Sequence, residues 1–342
     1  MARSRSERVG EILGAMRARL RDGALLPGAR FLSARELATT YGVSYQTAHR
    51  LLDELCTEGL VERRAASGTY LPGGVDTELR GAFTETWLIL SGRARRPHSF
   101  GARLLSELSR CLHREGISWQ VCWAENVATG DLPPAVFPVL WESPEILATC
   151  RCDGRRALLL NARPAPGLDT TFIDSVSVDD AFGGACAADL LNGTAKGDGR
   201  GLCVVTARAG DPRSDARQEG FLSRLPNASV VCAGGWYTED GIRVAPDALF
   251  HGPRGIFCAN DRLAEGVLIA CERSHFPRPR LVGFDDAPVA TTRELTTLAI
   301  PWSELAADAT EIIRRRISGD VSAARRRIVT PRPVLRRLGR TG

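Results

Sequence analysis

The sequence predicts an α/β protein in which an N-terminal winged helix-turn-helix precedes two lobes of doubly wound parallel sheet. Residues 31–73 read as helix, tight turn, helix and short β-wing. From Thr86 onward, short apolar strands alternate with helical segments at the spacing of βα units. A chain of 342 residues is too long for one average domain and has room for this number of parts.

An amphipathic helix over 6–22 opens the chain, with Val9, Ile12, Leu13, Met16 and Leu20 on one face. Ser33 and Glu36 form a capping box that starts a short helix turning Leu37 and Ala38 inward. Gly42 ends that helix, Val43 plugs the turn and Ser44 can cap the next one. On the second helix Ala48, Leu51, Leu52 and Leu55 make a buried stripe. The opposite face offers Tyr45, Gln46, His49 and Arg50 from its first turn. Donors and acceptors at the amino end of an exposed helix suit base edges in the major groove. Gly59 stops the helix, and Leu60–Glu62 can pair with Thr69–Leu71 around a basic tip.

In the body, the segments beginning at Thr86, Trp119, Arg156, Gly201, Ser229, Gly255 and Arg280 are buried-strand candidates. Helices follow several of them, such as Gly101–Arg114, with Leu104, Leu105, Leu108 and Leu112 inward, and Asp261–Arg273. Alternation of this kind over some 250 residues suits two lobes with a cleft between them. Ligands on such sheets sit at the carboxyl ends of the strands. Near the end, Ile328, Val329, Val334 and Leu335 suggest one final strand with a solvated arginine edge.

The net charge of +5 is unevenly spread. Residues 1–75 carry eleven arginines against eight acids, and residues 324–342 carry seven arginines and no acid. The stretch between them is therefore near −5. A basic head and tail around an acidic body fit a nucleic-acid reader joined to a module for something else. No apolar run reaches membrane-spanning length, and the amino terminus has no apolar signal segment, so a cytoplasmic protein is expected. The ten cysteines include no CxxC pair and fall mostly in apolar patterns, which reads as small buried hydrophobes rather than a disulfide or zinc framework. No metal, cofactor or catalytic group is expected. The chain has no GxSxG elbow, P-loop or HExxH, and its single lysine, Lys196, lies in a polar loop.

Residues Leu25–Leu71 closely resemble the winged helix-turn-helix of the gluconate-repressor (GntR) family in caps, turn, stripe, wing and lead-in spacing. One departure is Tyr45, which stands where that family usually has an arginine, so the guanine contact the arginine implies does not carry over. A second resemblance, from Thr86 to about Leu338, is to the effector domain of the lac-repressor (LacI) family, similar in fold to periplasmic sugar-binding proteins. Its carboxyl half carries most of the likeness: GIFCANDRLAEGVLIACERSHFPRPRLVGFDDAPVA, the helix after TTLAIPWSEL, and SDARQEGFLSRL.

These readings give domains at 1–73 (DNA-binding head), 74–84 (linker) and 85–342 (two-lobed, periplasmic-binding-protein-like effector and dimerisation domain). The side chains expected at DNA are Ser33, Arg35, Ser44, Tyr45, Gln46, Thr47, His49 and Arg50, with Arg64, Ser67, Gly68 and Thr69 in the wing. Ser44, Gln46 and Thr47 also fit ordinary capping and solvation. For a polyol ligand, Arg217 offers a planar fork of donors, Asn260 donates and accepts at once, and Asp285 accepts from hydroxyls. Trp236 could stack on a sugar ring, Ser214 is a lesser candidate, and Ser99 and Phe100 could serve from the first lobe. Asn260 or Asp261 could instead cap a helix, with Asp261 the expected cap, and Arg217 could simply pair with a carboxylate.

The function these features imply is a transcriptional regulator, in the sense of repression, that binds a roughly palindromic duplex operator as a homodimer and answers to a small sugar-like effector. The alternatives are a sugar-binding protein without regulatory output and an enzyme with a DNA-binding head.

Overall fold

A computed structural model of the chain describes residues 5–21, 30–58, 60–64, 68–71, 83–97, 99–128, 132–162, 172–193, 197–320 and 322–336. Residues 74–82 of the linker expected at 74–84, the helix stop at Gly59 and the loop lysine Lys196 lie outside them.

The head runs α1 (Arg5–Arg21), α2 (Ala34–Tyr41), α3 (Tyr45–Thr57), β1 (Glu62–Arg64) and β2 (Gly68–Tyr70). Both halves of the Ser33–Glu36 capping box are made, which satisfies the exposed N–H groups at the start of α2. Gly42 closes α2 in the left-handed region at φ 61°, which costs a glycine no Cβ clash. Ile12, Leu13, Met16, Phe31, Leu37, Ala48, Leu51, Leu52, Leu55, Val61 and Leu71 form one core. The wing ladder sits nearer its tip than the sequence suggests, pairing Glu62 with Tyr70 and Arg64 with Gly68. Leu60 and Val61 are diverted because their N–H groups close α3 onto the Leu55 carbonyl. Val61 and Leu71 then fill the core, and Phe31 N–H pairs with the Thr69 carbonyl at 2.8 Å.

The rest of the chain continues as β3 (Glu85–Leu90), α4 (Phe100–Arg114), β4 (Trp119–Trp123), β5 (Val136–Trp141), α5 (Pro144–Cys152), β6 (Ala157–Leu160) and β7 (Ile173–Val178). It goes on through α6 (Asp180–Asn192), β8 (Leu202–Thr206), α7 (Pro212–Arg224), β9 (Ser229–Cys232), α8 (Thr238–Leu249), β10 (Gly255–Cys258) and α9 (Asp261–Arg273). It ends with β11 (Arg280–Asp285), α10 (Pro288–Thr292), β12 (Thr296–Ala299), α11 (Trp302–Ile317), β13 (Arg326–Val329) and β14 (Arg332–Val334). Two six-stranded sheets result, in the orders β13-β7-β6-β5-β3-β4 and β14-β12-β11-β10-β8-β9. The segments from Arg326 onward correct one expectation. Two short strands form there instead of one, each on the edge of a different sheet.

The chain divides into two compact units. The first comprises Met1–Gly92, Glu115–Ser175 and Glu311–Arg326; the second comprises Arg93–Arg114, Val176–Thr310 and Arg327–Gly342. In the first, Ile89, Leu140, Ile146, Ala157, Leu159 and Ile173 pack between sheet and helices. Asp174 on β7 is wholly buried, and Arg316 of α11 meets both its oxygens at 2.9 and 2.8 Å. In the second, Val205, Val244, Ile256, Cys258, Leu263, Val267 and Leu281 form the core. Five of the ten cysteines are buried, whereas Cys152 and Cys232 are exposed. Helices α6 and α7 approach so closely that a Cβ on Gly184 would lie 2.0 Å from the Arg217 carbonyl oxygen. One on Gly220 would lie 1.9 Å from that of Ala181. This contact sets Arg217 beside Asp180.

Candidate DNA-reading face and ligand site

On the head, Ser33 and Ser44 are the caps of α2 and α3, so their hydroxyls are bonded to backbone. Thr47 shares a 2.8 Å hydrogen bond with the Ser44 hydroxyl. Tyr45, 57% exposed, Gln46 and Arg50 stand open on α3, and Arg35 stands open on α2. His49 is engaged: Nδ1 lies 2.9 Å from Asp53 Oδ2, and Nε2 lies 2.9 Å from Arg63 Nη1. Arg63 also donates to the His49 carbonyl and pairs with Asp53 at 3.1 Å. The imidazole thus ties the reading helix to the wing, a role visible beforehand only as the i, i+4 spacing of His49 and Asp53. Arg64 and Gly68 lie on β1 and β2, the Thr69 side chain is buried, and Ser67 lies outside the described residues.

The carboxyl ends of β8, β10 and β11 carry the second site. Arg217 reaches there from α7 and is 2% exposed. Its Nε donates to Asp180 Oδ1 at 2.8 Å, and its Nη1 donates to the Ala259 carbonyl at 2.5 Å and to Asp285 Oδ1 at 3.4 Å. Its guanidinium carbon sits 3.6 Å from the centre of the Phe284 ring. Asp285 and Asp286 have φ of 99° and 50°, a conformation that costs an L-residue energy and clusters at functional sites. Burial pushes the Asp285 carboxyl up, and the Arg217 charge opposes that rise.

Supporting residues hold these groups. Asn260, not Asp261, caps α9, its Oδ1 accepting from Leu263 N–H at 2.9 Å. Its Nδ2 donates to the Trp236 carbonyl at 3.0 Å. Asp261 points back into the protein, accepting from Thr297 Oγ1 at 2.6 Å and Ala287 N–H at 2.7 Å. A Cβ on Gly283 would fall 2.1 Å from Asp261 Oδ1, which explains the glycine before Phe284. Burial, then the Asp285 charge, drive the Asp261 carboxyl well above its ordinary value. Trp236 is half-buried, with Nε1 donating to Asp211 Oδ2 at 3.2 Å and the Arg213 and Arg217 guanidiniums 5.3 and 5.6 Å from its ring. Burial disfavours charge on Asp211, but hydrogen bonds and charge from Arg213 prevail and hold it at about 2. Ser214 is buried and accepts from Ala207 N–H, and Ser99 caps α4 at Ala102 N–H. Phe100 packs 4.8 Å from Trp302. Ser99 and Phe100 belong to the second unit, not the first lobe from which the sequence had them reach.

Arg217, Asp285 and Trp236 are therefore brought together, with Asn260 and Ser214 bonded to the backbone beside them. Asp180, Arg213 and Asp211 were missed; their sequence signals were two helix starts, Asp179–Asp180 and Asp211–Pro212. Among the described residues, no group of three His, Cys, Asp or Glu side chains could hold a metal ion. No described helix is long and apolar enough to cross a membrane.

Residues 8–71 match the model of bacterial regulatory proteins of the gntR family, and residues 200–337 match that of the periplasmic binding protein-like domain. The chain joins a gntR-family head to a periplasmic-binding-protein-like domain. The NTD biosynthesis operon regulator NtdR of Bacillus subtilis (strain 168) is 32% identical over 147 residues, 38% of this chain and 43% of that protein. The match thus spans less than half of that relative's length. A LacI family transcriptional regulator from Enterococcus faecalis V583, solved with bound ribose, superposes with a TM-score of 0.63 at 19% identity, covering 75% of this chain and all of the other. The transcriptional regulator CelR in complex with cellobiose gives 0.63 at 16% identity, covering 90% of this chain and all of the other. At such identities the likeness shows the fold alone, two lobes of parallel sheet.

Proposed function

We propose that the chain is a sequence-specific transcriptional regulator, acting as a repressor, whose operator affinity is set by a small sugar-like ligand. The observation that carries this reading is the buried Arg217 fork between Asp180 and Asp285, in the same chain as an exposed reading helix. A guanidinium held rigidly among carboxylates suits a polyol, because donors and acceptors then alternate around vicinal hydroxyls. Relatives solved with ribose and cellobiose support that ligand class. Within the proposal, residues 1–73 read DNA, 74–84 link, and 85–342 bind the ligand and dimerise. Tyr45, Gln46 and Arg50 contact bases, while the wing contacts phosphates. A homodimer places two heads on a roughly palindromic site in the cytoplasm, with half-sites about one helical turn apart. The protein needs no cofactor and catalyses no reaction.

The test is a gel shift on the duplex upstream of its own operon, with and without a panel of sugars. A retarded duplex released by a sugar is the expected result. Sugar binding without DNA binding would favour the alternative of a binding protein with no regulatory output.

A further inference from the structure

We infer that Arg103 and Arg336 are positioning residues of the ligand site, which hold Asp286 in its left-handed turn and thereby aim the Asp285 carboxylate beside Arg217. This rests on the reading that Arg217 and Asp285 meet the effector, and it adds to that site two arginines remote from it in sequence. Arg103 of α4, Asp285, Asp286 and Arg336 all belong to the second unit. β11 pairs with β12 as far as Asp285 and Ala299, where the ladder ends. The chain then passes through two successive residues of positive φ, Asp285 at 99° and Asp286 at 50°. Aspartate enters that region more readily than most residues, but a strained pair persists only where its surroundings over-determine it. Arg217 alone does not supply that constraint, since its Nη1 lies 3.4 Å from Asp285 Oδ1.

The surroundings of Asp286 do supply it. Its carbonyl accepts from Arg103 Nη1 at 2.7 Å. Its Oδ1 lies 2.9 Å from Arg336 Nη2, in a pair whose side chains are 26% and 21% exposed. Among the described residues that oxygen accepts no hydrogen bond, so the contact with Arg336 is one of charge. The Asp286 N–H meets Thr297 Oγ1 at 3.4 Å, and the Ala287 N–H donates to Asp261 Oδ2 at 2.7 Å. Carbonyl and carboxylate of Asp286 are thus each held by one arginine, while the two N–H groups turn inward. Arg336 is itself braced. It lies two residues past β14, and its own N–H donates to Thr296 Oγ1 and its Nη1 to the Leu295 carbonyl, both at 3.1 Å. The Arg103 guanidinium carbon sits 4.9 Å from the centre of the Trp302 ring. A recognition group keeps its aim only if the shell behind it is fixed. Without either arm the turn relaxes, and the Asp285 carboxylate leaves the line on which it accepts from a ligand hydroxyl.

The experiment combines hydrogen exchange on the free full chain with calorimetry against D-ribose and cellobiose. Arg103→Gln and Arg336→Gln should each speed exchange at the Ala287 amide and leave the amides of the first sheet unchanged. Each should weaken binding of whichever sugar the wild type takes up by about 5- to 100-fold, the scale of the strain held at such a backbone position. Arg336→Lys keeps the charge and should restore most of that affinity, which a packing role for Arg336 would not produce. Arg336→Gln combined with Asp286→Asn should bind no more weakly than the weaker single variant, because both break one contact. Unchanged exchange at Ala287 in both Gln variants overturns the inference, as does full sugar affinity in both when the wild type binds sugar. If the wild type binds neither sugar, the sugar-effector reading fails, and the exchange rates alone decide whether the two arginines hold the turn.

Discussion

Arg217 illustrates how much of a site rests on one side chain. Truncation to alanine leaves Asp180 and Asp285 buried without their cation, and breaking such pairs typically costs about 3–5 kcal/mol. Arg217→Ala should therefore unfold earlier in urea and lose its ligand response. Operator affinity should survive, since the head has its own core. Unaltered ligand affinity by calorimetry would remove Arg217 from the site. Arg50, exposed on α3, belongs to the opposite case. Arg50→Ala should weaken operator binding by about 1–3 kcal/mol with ligand affinity intact, and equal loss of both would contradict the modular reading. A titration prediction follows from Asp211. Its folded value of about 2 lies below the ordinary carboxylate value, so the stability it adds is fully present above about 4 and is lost as pH falls through 2. The stability gap between the wild type and Asp211→Asn should shrink over that window; a gap constant with pH would show that charge plays no part. At this scale the sequence spoke unevenly. Arg217 and Asp285 were legible through residue type and the family motif. Asn260 took the capping role expected of Asp261, which turns inward instead, because which of two adjacent polar residues caps a helix depends on the backbone turn before it.

At the scale of elements, the patterns that read well were those with a single strong period. The stripe on α3 and the apolar runs of β3, β8 and β10 fall where they were expected. β5 was missed because Pro138 interrupts it in a central position, where proline normally argues against a strand. β7 was missed because Asp174, Ser175 and Ser177 break its apolar run; the Asp174 carboxylate is buried with Arg316 and the Arg325 N–H to satisfy it. The wing ladder shifted because two of its expected residues were needed by the core. Its latch is testable: Arg63→Ala should weaken operator binding with a stability cost of at most about 1 kcal/mol, the range of exposed pairs. Unchanged affinity on a duplex would show that the wing needs no anchoring by His49. The α6–α7 contact has no space to give, so Gly184→Ala should destabilise the second unit by about 1–3 kcal/mol or more in denaturant melts. A neutral effect there would mean the helices separate at little cost.

For the whole molecule, a gntR-type reader and a periplasmic-binding-protein-like module in one chain have value as a switch only if each site feels the other. Fold class and modular order were both legible, since they follow from composition shifts and long periodic segments. The coupling was not, because it depends on free-energy differences between states that a sequence does not display. Linkage requires reciprocity: a ligand that changes operator affinity by some factor must have its own affinity changed by the same factor when operator is bound. The decisive measurement is operator affinity by fluorescence anisotropy, titrated with whichever sugar raises the thermal midpoint of the full chain. Coupling of about 1–3 kcal/mol, roughly 5- to 150-fold in affinity, is the predicted result. An operator affinity unmoved while that ligand saturates the protein would contradict the account.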